Sequence, residues 1–179
     1  MFLPGFGAGQ AGGGPQFTSL GQAVRTMQII TGALLMGVVV FGVAATVVGE
    51  NPAPAAPNQP PPTPMLTYMA AGFAFIQLGM RAVVPTVMAR NAVAQMQGSL
   101  NDSDASKLRL AGVYQTKMII GMALCEGAAF FALIAWMAER ELIAIGTAAF
   151  LVLVMLTAFP TRSRVEGWIR HQLELRSFS

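Results

Sequence analysis

The sequence predicts an all-α membrane protein with four transmembrane helices, and three features carry that expectation. Charged residues make up only 11% of the 179 and apolar residues 54%, whereas an ordinary soluble domain has about 25% charged residues. The apolar residues gather in four blocks of about the length that crosses a bilayer. All Lys and Arg residues except Arg140 fall on one side of those blocks, which is the positive-inside pattern of a multi-pass protein.

The first block, "MQIITGALLMGVVVFGVAATVV", covers 27–48 and holds no charge. The second, "MLTYMAAGFAFIQLGMRAVVP", covers 65–85 and carries only Arg81, near its far end. The third covers 118–138 and is interrupted by Glu126 alone, and the fourth, "LIAIGTAAFLVLVMLTAF", covers 142–159. Each has roughly 18–22 residues, enough at about 1.5 Å per residue to cross a hydrocarbon core of about 30 Å. Helices satisfy their backbone groups internally in lipid, and the alternation expected of barrel strands is missing.

These blocks define a membrane domain over 25–160, with both termini cytoplasmic and the protein in the cell (inner) membrane. Residues 1–24 are rich in Gly and Pro and lack the charged and apolar regions of a signal peptide, so a flexible tail is expected there. The first outer loop, "GENPAPAAPNQPPPTP", is expected to be a semi-rigid strap. The inner connection predicts a third helix that starts near Asp104, capped by Asp102 or Ser103. Leu108, Ala111, Val113 and Tyr114 are then placed to pack on Val87, Ala94 and Met96 in a projecting hairpin. In the tail, 161–179, one helical face carries Val165, Trp168, Ile169 and Leu173, which suits an amphipathic helix at the cytoplasmic interface with Trp168 as anchor.

The two halves of the domain resemble each other. Thr26 to Ala45 lies over Thr116 to Ala135, matching Ile29-Ile30 with Ile119-Ile120, Gly37 with Gly127 and Phe41 with Phe131. The second and fourth helices match through Ala74-Phe75 with Ala149-Phe150 and Pro85-Thr86 with Pro160-Thr161. A tandem repeat of two-helix hairpins is expected. Ala33 with Gly37 and Ala123 with Gly127 are then equivalent small-residue pairs, suited to close helix packing within the bundle or between copies.

Glu126 has no counterpart in this repeat, because Met36 occupies the equivalent place. It lies roughly 12 Å from the inner edge of its block, and a carboxyl at such a depth is by default an ion or proton site. Gln77 falls at similar depth on the preceding helix and is expected to complete the site with its amide. No Lys or Arg is expected at that level. The structural alternative is a neutral Glu126 that donates a hydrogen bond between helices.

The run "MIIGMALCEGAAFFALIAWM" around Glu126 resembles the second helix of the proteolipid (c) subunit of F- and V-type rotary ATP synthases, which carries an ion-binding carboxylate in a pattern of the form IG-AL-E--AI--L. The resemblance implies that Glu126 carries H⁺ or Na⁺, that the acid-bearing helix runs outward from a cytoplasmic loop, and that copies form an oligomer in an ion-transporting complex. The glycine ladder of the proteolipid first helix and its short polar turn are not present. No other cofactor is expected, and the partners are the lipid bilayer and a homo-oligomer or larger membrane complex.

Other functions have little to stand on. No nucleophile has a base at readable spacing, and no phosphate-binding loop is present, so an enzyme is not expected. Cys125 is the single cysteine and His171 the single histidine, too few for a zinc site. The net charge of +3 follows from the membrane asymmetry, and no basic patch with aromatics marks a nucleic-acid surface. An accessory or scaffold subunit is the competing reading.

Overall fold

A computed structural model describes residues 18–48, 63–96 and 103–177, and every element in them is an α-helix. The helices are α1 (Leu20–Val48), α2 (Met65–Met96), α3 (Asp104–Glu139), α4 (Leu142–Thr157) and α5 (Arg162–Ser177). The proline-rich outer loop, most of the N-terminal tail and Asp102 lie outside the described residues.

Local chemistry sets the helix ends. At the start of α1 the Ser19 hydroxyl accepts from the Gln22 amide at 3.2 Å, and the Gln22 side chain accepts in turn from Thr18, a variant of the capping box. The helix therefore begins before the apolar block, and Ala23 and Val24, expected in the tail, are buried in it. The third helix starts at Asp104 as expected, with Ser103 as the cap that accepts from the Ser106 amide. Its other end stops at Arg140, which takes the left-handed conformation (φ 59°), donates its amide to the Trp136 carbonyl and lays its guanidinium 4.4 Å from the Trp136 ring centre. The short link to α4 follows from that stop.

The start of α2 is capped from another helix. Pro64 precedes it and offers no capping side chain, leaving the first amides in want of acceptors. Glu139, at the end of α3, supplies them: Leu66 N–H donates to Oε1 and Thr67 N–H to Oε2, each at 2.7 Å. A carboxylate at a helix N-terminus is favoured by the helix dipole as well.

Around α3 the other helices arrange themselves unequally. α1, α2 and α4 all pack on it, α4 also touches α1 and α2, and α1 and α2 do not pack on each other. The central contacts are made by small side chains: Ala70 and Ala74 of α2, Ala128, Ala129, Ala132 and Ala135 of α3, and Ala144 and Ala148 of α4 are all buried. Outward faces are apolar and open, with Phe75 79%, Leu142 81% and Val47 66% exposed. In water such a surface would aggregate; in lipid it is the ordinary exterior.

Three helices, α1, α2 and α3, are long and apolar enough to cross a membrane. The fourth block forms a helix slightly shorter than the expected span. Its helix has only 16 residues, about 24 Å, and a 66° bend separates it from α5. It counts as a fourth span only if that bent pair is taken together. Buried Pro160 lies in the break, and its carbonyl accepts from Gln28 Nε2 of α1 at 3.1 Å.

α5 is amphipathic as expected but uses its apolar face differently. Val165 and Ile169 are buried against Ala23 and Met27 of α1 and Leu110 and Ala111 of α3. Trp168 is partly buried and packs on Tyr114, ring centres 5.4 Å apart. The projecting hairpin has a shifted register too. Val87 and Ala94 are exposed, and α2 turns Pro85, Ala89, Val93 and Met96 inward, continuing the face begun by Ala70 and Ala74.

The interhelix cap yields a pH-dependent prediction. Partial burial pushes the Glu139 carboxyl up, but the hydrogen bonds from Leu66 and Thr67 outweigh this and hold it below the usual glutamate range. A depressed carboxyl stabilises the fold above its unfolded value and loses that contribution as the pH falls through the folded one. Glu139→Gln should therefore melt lower than the wild type at pH 7 in detergent, and the gap should close as the pH drops below about 4.3. A constant gap across that window would show that the carboxylate does not hold the start of α2.

Candidate functional site

Successive residues of an α-helix point about 100° apart, so Cys125 and Glu126 serve different neighbours. The Glu126 side chain turns to α1. A Cβ built on Gly37 would lie 3.5 Å from Glu126 Oε1 and 3.9 Å from the Phe130 ring. Phe130 in turn meets Phe41 edge-on, with centroids 5.2 Å apart, and Leu133 fills the place beside Gly42. Two glycines of α1 thus lie against α3, the first of them beside the carboxyl.

Glu126 is half-buried, and no hydrogen bond or ion pair reaches it among the described residues. Gln77 sits on α2, which does not touch α1. Its Oε1 is buried without a hydrogen-bond partner. The two polar groups expected to pair are therefore not joined. Depth along the helices was readable, but rotation about them was not.

On the flank of α3 facing α2 lies a group the sequence reading placed differently. Arg81 Nη1 donates to Cys125 Sγ at 2.9 Å, so a cation does reach the level of Glu126, though on a different flank of the helix. Gly121 lies beside it, where a Cβ would stand in ordinary contact, 3.6 Å from Arg81 Cγ and 3.8 Å from Pro85 Cγ. The signal was Arg81 itself, the single charge inside the second apolar block.

The four small residues expected to pack helices divide. Gly37 makes a close approach, to Glu126. Ala33, Ala123 and Gly127 are exposed, and a Cβ on Gly127 would meet nothing within 4 Å. The packing they were expected to provide comes instead from the alanines of α2, α3 and α4. No group of His, Cys, Asp and Glu capable of holding a metal occurs among the described residues.

No family model matches the chain, nor does any curated protein or solved structure.

The notch at Gly37 can be probed by filling it. The distances at Gly37 are ordinary contacts for a methyl group, so Gly37→Ala should be neutral or stabilising by up to about 1 kcal/mol from helix propensity. Gly37→Leu should overfill the seam and cost about 1–3 kcal/mol. Thermal melts of the two variants in detergent would check this, and equal midpoints would argue against the close approach.

Proposed function

We propose that this chain is a multi-pass protein of the cell (inner) membrane in which the Glu126 carboxyl is a proton-binding site on the α1–α3 seam, in the manner of a proteolipid subunit of an ion-translocating complex. The observation that carries the proposal is a carboxyl well inside an apolar span with no hydrogen-bond partner among the described residues. An acid kept only to tie two helices together needs an acceptor, and neither Gly37 nor Phe130 beside it offers a side-chain one. The same surroundings favour H⁺ over Na⁺. A metal cation in hydrocarbon needs several oxygens to replace its water, whereas a proton needs one.

The orientation proposed is both termini inside. α5 packs on the starts of α1 and α3, which gathers Lys107, Lys117, Arg164 and Arg170 at one end. Arg140 stands at the other, between Glu139 and Glu141. That asymmetry supports a cytoplasmic basic end. A tandem origin of the two hairpins supports the functional reading as well, since Met36, in the place equivalent to Glu126, is 60% exposed on the outside of α1. The halves pack differently, with α3 on α4 but α1 apart from α2, so the duplication is proposed from sequence. A second copy or a larger membrane complex is the partner proposed.

A scaffold subunit is the second reading. It is favoured by Val87 and Met88, which are 47% and 50% exposed on the part of α2 beyond its apolar block.

The two readings part on chemistry. A hydrophobic carbodiimide added to membranes should label Glu126, identified by peptide mass. The label should fade as the pH rises and vanish in Glu126→Gln. If Glu126 stays unlabelled at every pH, the proton site is wrong and the scaffold reading stands.

A further inference from the structure

Where α2, α3 and the α4–α5 bend come together, a cavity of about 190 Å³ is lined by Arg81, Lys117, Arg164 and Tyr114, with Met118 and Met122 on its apolar wall. None of the described residues lining it is acidic. Three cations converging on one space repel each other unless an anion shares it. We propose that this cavity binds the phosphate of an anionic phospholipid headgroup.

The basic groups are held ready for such a ligand. Arg81 is fixed by the one donor it gives to Cys125, and Arg164 by the one Nη1 gives to the Thr157 carbonyl at the end of α4. A guanidinium carries further donors beyond these, in a planar fork that suits phosphate oxygens. Burial pushes the Tyr114 hydroxyl up, with Arg164 opposing, so it stays protonated and can donate to an oxyanion. The volume matches about six waters, room for one phosphate and the first atoms of its esters.

Position selects the lipid over a soluble anion. Lys117 stands immediately before the apolar block of α3, and Arg81 reaches Cys125, about 12 Å further in. The cavity thus runs from headgroup level into the hydrocarbon, where partly buried Met118 can meet an acyl chain. Basic pockets between membrane helices at this level are known to take lipid phosphates.

Native mass spectrometry of the full chain in neutral detergent tests this, with dioleoyl phosphatidylglycerol and dioleoyl phosphatidylcholine as the probes. The wild type should retain phosphatidylglycerol more tightly. Lys117→Gln and Arg164→Gln should each weaken it about fivefold and leave phosphatidylcholine unchanged. Arg170→Gln, on α5 but outside the cavity, should change neither. Arg164→Gln also removes the bond to Thr157, so Lys117→Gln is the decisive variant. Equal retention of the two lipids, or phosphatidylglycerol binding that Lys117→Gln leaves intact, would overturn the proposal. Release of the lipid by millimolar inorganic phosphate would overturn it in favour of a soluble anion.

Discussion

The close approach of helix backbones along the alanine faces of α3 is what the rest of the structure depends on. Lipid gives no hydrophobic drive for one apolar helix to seek another, so association rests on van der Waals contact, and contact rests on small side chains. Ala128, Ala129, Ala132 and Ala135 are fully buried, and both α2 and α4 answer with alanines of their own. α3 thereby becomes the helix on which the others assemble. The contact of α1 with it uses a different device, glycines that receive Glu126 and Leu133.

That central position gives α3 two chemically distinct flanks. Cys125 meets the guanidinium of Arg81 on one, and Glu126 meets α1 on the other. An acid one position earlier, in the place of Cys125, would meet that guanidinium as an ion pair and be held ionised. The body of the helix keeps them apart. Arg81 is directed to the basic cavity at the membrane edge, and Glu126 is left with an apolar seam. The proposed proton site and the proposed lipid site thus follow from the same rotation of one helix.

Much of this was legible in sequence. The start of α3 was marked by Ser103 and Asp104, and the spans of α1, α2 and α3 by long apolar runs holding at most one charge each. What was not legible involves rotation or tertiary contact. Apolar residues surround each membrane helix, so Ala123-Gly127 and Ala128-Ala132 look equally fit to pack, and only the structure tells the exposed pair from the buried one. Gln77 and Glu126 share a depth but face different neighbours for the same reason. The end of α4 at Thr157 falls just before Pro160, which disfavours helical backbone in the residue preceding it. Glu139 looked like one of two acids flanking an outer arginine, because a cap that reaches across to another helix leaves no local spacing to read.

The role of α3 is tested most directly by enlarging one residue on each side of it. Ala132 is fully buried and Ala123 is exposed, yet both are alanines in the same apolar run. Thermal denaturation in detergent of Ala132→Leu should show a loss of about 1–3 kcal/mol, while Ala123→Leu should melt with the wild type. Equal loss from both, or a loss confined to Ala123→Leu, would contradict the packing of the bundle around α3.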